Sequence, residues 1–299
     1  MTADLKALAE RMAGDLAARD IKAPDGPSLE VPAVLSAQQS ALAGKTPARI
    51  ADYIDHTLLK PEATAAEIDV LCDEARENRF AAVCVNPVWV ERCAQRLAGS
   101  GVGIATVIGF PLGASRPETK AFEAELAVSQ GATELDMVAA IGHIKGGDWT
   151  HVHHDIATVV RAARGTLVKV IIESAALTPM EIIKASALAK EAGAQYVKTS
   201  TGFHSAGGAS AESVALMRLA VGDALGVKAS GGVRDCATAL RMIASGATRI
   251  GTSSGVAMAQ CLGPGPLPVR ELLSLADGHV ARCRTGTCDT PASEPARAY

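Results

Sequence analysis

The chain has 299 residues, 48% of them hydrophobic, and a formal net charge of −3, which suits one large barrel or two ordinary domains. With no basic block and only 3% aromatic residues, it lacks both the charge and the stacking surface of a nucleic-acid binder. Its apolar runs fall short of the about 20 residues that span a bilayer, and Asp4, Lys6, Glu10 and Arg11 break up any signal-peptide core, so a cytoplasmic protein without membrane contact is expected.

Residues 3–19 have helical spacing, with Leu5, Leu8, Met12 and Leu16 near one face. Pro24, Gly26, Pro27, Pro32, Gly44 and Pro47 then mark a linker, so residues 1–49 read as an N-terminal arm. A compact domain is expected over 50–280, and a mobile tail over 281–299. Within the domain, strand-like runs at 51–58, 81–86, 102–109, 134–139, 167–173, 196–200, 226–230 and 249–253 alternate with helical stretches. Those stretches are 64–79, 87–98, 116–130, 149–163, 179–192, 211–224 and 235–245, with another within 254–278. Thr178 before Pro179, and Ser210 before Ala211, are start signals. Gly131, Gly193 and Gly246 are stop signals. Val- and Ile-rich strands alternating with helices indicate a parallel sheet covered on both faces. Eight such units predict an α/β fold, the (β/α)8 TIM barrel. An open doubly wound sheet is the alternative; the GxGxxG turn that would favour it is absent.

Seven cysteines, an odd number with no CxxC pair, argue against a disulfide framework or a structural zinc site. A bridge between Cys283 and Cys288 in the tail stays open.

Asp136 in ELDMV, Lys169 in LVKVII, Lys198 in YVKTS and Lys228 in GVKAS are charges inside core strands. They fall on the fourth to seventh strands, neighbours about 4.8 Å apart in a barrel. A lone buried ammonium costs several kcal/mol unless paired or neutralised (about 3–5 kcal/mol when a buried pair is broken). Either the lysines snorkel outward, or Asp136 merely pairs with Lys169, or the set is chemical. In the chemical reading one lysine, kept neutral by burial and a second ammonium, attacks a carbonyl while the carboxylate moves protons. Gly231-Gly232-Val233-Arg234 and Gly251-Thr252-Ser253-Ser254-Gly255 follow the last two strands, where barrels commonly bind phosphate on backbone N–H groups. Thr199-Ser200-Thr201-Gly202 can add hydroxyls. His151, His153 and His154 read as a solvated helix surface, with no metal site expected. Cys84 reads as a packed wall residue rather than a nucleophile.

The strings DHTLLKP (55–61), CVNP (84–87), IGFPLG (108–113), ELDMV (134–138), KVIIES (169–174), YVKTSTGF (196–203), KASGGVR (228–234) and GTSSG (251–255) occur in this order. Over about Ile50 to Met258 the chain resembles the 2-deoxyribose-5-phosphate aldolases. The resemblance implies a (β/α)8 barrel that reversibly cleaves 2-deoxy-D-ribose 5-phosphate to acetaldehyde and D-glyceraldehyde 3-phosphate, with no metal or organic cofactor. It places the Schiff-base lysine on Lys198, the second lysine on Lys228 and the proton-relay aspartate on Asp136. Asp55, Thr57, Cys84, Lys169, Thr199, Gly202, Gly231, Gly232, Gly251, Ser253 and Ser254 fall on substrate-pocket positions. A phosphosugar partner and a homodimer or homotetramer are expected. After ELDMV the chain has Ala139-Ala140-Ile141-Gly142, where relatives often carry an asparagine. Tyr299 ends the tail, as a tyrosine does in some relatives that use it in proton transfer.

Overall fold

The Val- and Ile-rich runs form eight parallel strands in a computed structural model that describes residues 49–263. The readings at 3–19 and 22–47, the tail, Tyr299, Cys283, Cys288 and the far end of the stretch within 254–278 lie outside these residues. The strands are β1 (Ile54–Leu58), β2 (Ala82–Val85), β3 (Gly103–Ile108), β4 (Glu134–Val138), β5 (Leu167–Ile171), β6 (Tyr196–Lys198), β7 (Gly226–Ser230) and β8 (Arg249–Thr252). They pair in sequence order, and β1 closes on β8 through Ile54–Ile250, Asp55–Gly251 and His56–Thr252. That closure removes the open-sheet alternative, because an open sheet leaves two unpaired edges.

The helices are α1 (Ala65–Asn78), α2 (Val90–Arg96), α3 (Pro117–Ser129), α4 (Ile141–Gly146), α5 (Trp149–Ala162), α6 (Pro179–Glu191), α7 (Ala211–Val221), α8 (Cys236–Ala244) and α9 (Gly255–Leu262). The start signals act as read. Thr178 accepts from Glu181 N while the Glu181 side chain accepts from Thr178 N, and Pro179 takes the first helical position. Ser210 accepts from Ser213 N at the start of α7. The stop glycines Gly131, Gly193 and Gly246 have φ of 104°, 87° and 110°, a region that suits glycine.

Two local readings change. Residues 51–53 belong to a 3-10 turn, Ile50–Tyr53, rather than to β1. Asp52 accepts from Arg49 N and from the Arg49 guanidinium, which closes the chain into a turn there. The loop after β4 contains α4, which the helical spacing did not indicate. It is one short turn with glycines at 142 and 146, and Ile144 is its one buried side chain. No apolar stripe can be read from so short a segment.

Apolar side chains on the outer face of the strands pack beneath the helices; Val83, Val168, Val170, Val197, Val227 and Ile250 are fully buried. No helix among the described residues is long and apolar enough to cross a membrane.

Candidate active site

Strand residues two apart share a face. On β4 that alternation turns Glu134 and Asp136 inward together, and on β1 it turns Asp55 and Thr57. Lys169 of β5, Lys198 of β6, Lys228 of β7 and Arg249 of β8 meet them inside the barrel. The lysines do not snorkel: Lys169 and Lys228 are 0% exposed and Lys198 is 2% exposed. Nor is this one simple pair. Lys169 Nζ lies 2.6 Å from Asp136 Oδ1, 2.5 Å from Glu134 Oε2 and 3.5 Å from Asp55 Oδ2. Lys228 Nζ donates to Asp55 Oδ2 and, at 2.7 Å, to Asp136 Oδ2. Lys198 Nζ donates to the same Asp136 Oδ2 at 2.8 Å. Arg249 Nη1 closes the base of the network, 2.6 Å from Asp55 Oδ1 and 3.2 Å from Glu134 Oε2.

The groups do not balance. Three carboxylates, Asp55, Glu134 and Asp136, face four basic groups, Lys169, Lys198, Lys228 and Arg249. In a buried site the surplus positive charge is costly. The strain falls on Lys198, which has a single carboxylate oxygen and shares it with Lys228. Burial first, then the Lys228 ammonium, hold Lys198 below the ordinary lysine range despite Asp136. The other two lysines move the opposite way. Burial works against their charge, but Asp136 and then Asp55 outweigh it, so both stay ammonium ions. Asp136 resists burial through Lys169, Lys198 and Lys228, and its carboxyl is held well below the usual range. Asp55 is lowered in the same way by Lys228, Lys169 and Arg249.

Small residues make room for this network. A Cβ on Gly251 would meet Lys228 Cε and Ser230 Cβ at 3.0 Å. Gly251 therefore lies within β8 beside the lysine stem, not in the turn beyond it. Cys84 is fully buried, and burial pushes its thiol up. It packs with Leu59, Ala105 and Val107 beneath Phe110 and Phe203, an apolar wall beside the charges. That matches the reading of Cys84 as a wall residue.

The ends of β6, β7 and β8 carry the expected turns. Gly202, Gly231 and Gly232 have φ of 87°, 82° and 80°. Gly232 and Ser253 are exposed, while Gly202 and Ser254 are partly so. Thr199 is buried, and its hydroxyl donates to Ser230 O and accepts from Ser230 N, both at 3.0 Å. It laces β6 to β7 under the turns. Thr57 donates to Asp55 O at 2.8 Å. Ser254 N donates to Thr252 Oγ1 at 3.0 Å, so in this state that N–H is engaged. In the stretch after ELDMV, Ala139 N donates to Ile171 O at 2.9 Å and Ala140 N to Asp155 Oδ2 at 3.1 Å.

Sequence reasoning missed three contributors. Glu134 and Arg249 open their strands, where a charge attracts no notice, yet Glu134 is two residues from Asp136 and shares its face. Glu173, 1% exposed, follows β5 with a left-handed φ of 54°. Its carboxylate accepts from Thr201 Oγ1 at 2.5 Å and from Thr201 N at 3.2 Å. Away from the lysines, His143 and Asp148 lie beside His151, so that histidine is not simply a solvated surface residue.

A closed (β/α)8 barrel with lysines and carboxylates gathered inside it is the frame of a barrel enzyme. The chain belongs to the DeoC/LacD family of aldolases, whose pattern matches residues 49–260. The deoxyribose-phosphate aldolase of Brevibacillus brevis is 60% identical over 206 residues, 69% of this chain and 93% of its own length. That of Mannheimia succiniciproducens is 53% identical over 212 residues, 71% of this chain and 94% of its own. Among solved structures, the tetrameric deoxyribose phosphate aldolase from Aeropyrum pernix matches with a TM-score of 0.66 at 34% identity, covering 76% of this chain and 96% of that one.

Proposed function

We propose that the chain reversibly cleaves 2-deoxy-D-ribose 5-phosphate to acetaldehyde and D-glyceraldehyde 3-phosphate through an imine on Lys198. The observation that carries this reading is the shared Asp136 Oδ2, with Lys198 and Lys228 Nζ 2.8 and 2.7 Å away. A proton can pass between the two amines through that oxygen, and among the described lysines of the network Lys198 has the fewest carboxylate partners.

Neutral Lys198 attacks C1 of the open-chain sugar and gives a carbinolamine. The Lys228 ammonium, relayed by Asp136, protonates the departing hydroxyl, and water leaves. The resulting iminium draws electrons as Lys228, left neutral by the previous step, takes the C3 hydroxyl proton through Asp136 and the C2–C3 bond breaks. D-Glyceraldehyde 3-phosphate departs, and an enamine stays on Lys198. Protonation at C2 restores the imine; hydrolysis frees acetaldehyde and the neutral lysine. The wall of Cys84, Phe110 and Phe203 shields the enamine carbon from bulk water. Asp55 and Lys169 hold Lys228 and Asp136 in their charged states. Gly202, Gly231, Gly232, Ser253 and Ser254 take the phosphate near the starts of α8 and α9, with Thr57, Thr199 and Gly251 shaping the pocket from beneath. No step is assigned to a metal or organic cofactor.

The same reading places the enzyme in the cytoplasm as a self-associating protein, with residues 1–49 and 281–299 as appendages to the barrel. Self-association is supported by Phe122 and Leu126, one turn apart on α3 and 69% and 48% exposed. Reduction with borohydride in the presence of acetaldehyde, followed by peptide mapping, tests the chemistry. Mass added on Lys198 is expected. An adduct on Lys228 reverses the roles, and no adduct leaves a phosphosugar-binding barrel. A panel of aldehyde acceptors separates this activity from another imine-forming aldolase.

A further inference from the structure

On the β4 to α5 connection, outside the lysine network, three side chains converge that the reaction does not use. His143 is in α4, Asp148 caps the N-terminus of α5, and His151 stands in its first turn. Their ligand atoms all lie within 4.8 Å of one another. Asp148 Oδ1 accepts from His151 N at 3.1 Å, which pins the carboxylate and turns Oδ2 toward His143 Nδ1, 3.2 Å away. The imidazoles of His143 and His151 stack, with centroids 3.6 Å apart and planes 16° from parallel.

We propose that His143, Asp148 and His151 bind a divalent transition-metal ion of the zinc class, with three protein ligands and one open position.

The donor set fits such an ion. Zinc takes imidazole nitrogen and carboxylate oxygen at about 2.0–2.2 Å, and three protein ligands leave a fourth tetrahedral position for water or another small ligand. Ligand atoms on such a tetrahedron stand roughly 3.3 Å apart, so the present spread closes by side-chain rotation. His143, 46% exposed, has room to rotate toward the ion, while Asp148 keeps its cap and offers Oδ2. Metal ligation takes imidazole in its neutral form, so the ligand set's only charge would be that of its carboxylate, which favours a cation over an anion. The nearby cation is held away: Lys145 Nζ is 2.8 Å from Glu181. A cavity of about 360 Å³, lined also by Gly113, Ser115 and Gly142, opens onto the three ligands and leaves space for the fourth. The ion would tie α4 to the start of α5.

The test uses the full chain without an affinity tag, stripped with a chelator and titrated with Co²⁺ by absorption and with Zn²⁺ by calorimetry. One saturable equivalent is expected, with tetrahedral d–d bands of a nitrogen and oxygen site. His143→Ala and His151→Ala should abolish it. Asp148→Asn, which keeps the capping acceptor, should weaken it on the order of 10–100-fold. His151→Gln gives the same comparison if an alanine variant misfolds by circular dichroism. Binding of equal strength in the histidine variants, bands with thiolate charge transfer alone, or no saturable binding would each overturn the site.

Discussion

Lys198 and Lys228 are register partners on adjacent strands, and their amines meet at a single oxygen, Oδ2 of Asp136. The identical side chains are set apart by what else they touch. Lys228 also reaches Asp55, whereas among the described residues Lys198 pairs with Asp136 alone. Lys198→Ala should therefore abolish the borohydride-trapped adduct. Lys228→Ala should still form one, slowly. Removing that ammonium deletes a charge that lowers Lys198, and it leaves Asp136 freer to stabilise the Lys198 ammonium. Both effects raise the pKa of Lys198, so the pH at which the adduct forms half-maximally should move upward. Trapping rates against pH, read by mass spectrometry, would contradict this if the profile moved down or stayed in place.

Asp136→Asn should lose on the order of 10²–10⁴-fold in turnover, the range for a missing acid–base group. It should also cost stability, about 3–5 kcal/mol for breaking a buried ion network on one side. The pH dependence gives a second readout. Asp136 is lowered from its ordinary 3.8 in the folded chain. Its stabilisation is thus complete above that value and is lost as pH falls toward the folded pKa. Urea midpoints taken from about pH 5 to about pH 3 should drop more steeply for the unmodified chain than for Asp136→Asn. Parallel slopes would show that Asp136 is not a main acid-labile tie.

Much of this was legible in the sequence for a physical reason. A charge within an apolar run must be paired or functional, so Asp136, Lys169, Lys198 and Lys228 stood out. Caps and stop glycines placed the helices. Glu134 and Arg249 escaped because a charge on the first residue of a strand reads as surface. The buried pair of Lys120 and Asp155, 2.7 Å apart, escaped for a related reason. Charges on helices are ordinarily solvated, and nothing local says that Lys120 also donates to Val138 O at the end of β4. His143 and His151 lie on different helices, one of them invisible to periodicity, so their stacking needed the fold.

Phosphate recognition should be separable from imine chemistry. A Cβ on Gly232 would meet nothing within 4 Å, although its φ of 80° disfavours any other residue. Gly232→Asp adds strain of roughly 1–2 kcal/mol and sets a carboxylate where the phosphate is proposed to sit. KM for 2-deoxyribose 5-phosphate should rise far more than KM for 2-deoxyribose, and Ser254→Asp should act alike. Equal losses for both sugars would place the phosphate elsewhere.

Deleting residues 1–47 should leave a chain that unfolds cooperatively. Residues 49–263 close the barrel by themselves through β1 and β8, and a 206-residue match already covers 93% of the Brevibacillus brevis relative. Denaturant unfolding followed by circular dichroism and tryptophan fluorescence should give coincident transitions. A molten or insoluble product would show that the arm completes the core or an interface.

Glu173 should act as a positioning residue for the turn after β6. It holds a left-handed φ of 54°, at a cost of roughly 1–2 kcal/mol for a residue with a Cβ. From there its carboxylate holds both Thr201 N and Thr201 Oγ1. Thr201 Oγ1 in turn accepts from Phe203 N at 3.1 Å, so one buried carboxylate fixes residues 201–203, including Gly202. Hydrogen bonds to a charged group contribute about 1.5–3 kcal/mol each. Glu173→Ala should therefore raise KM for the phosphorylated sugar by roughly tenfold or more, the equivalent of about 1.4 kcal/mol. Trapping of acetaldehyde on Lys198 should be unaffected, because the lysine is set by β6 and its neighbours rather than by the turn. Glu173→Gln, which retains an acceptor of similar reach, should recover part of the loss. A fall in trapping as large as the rise in KM would mean that Glu173 supports the strand and not the turn.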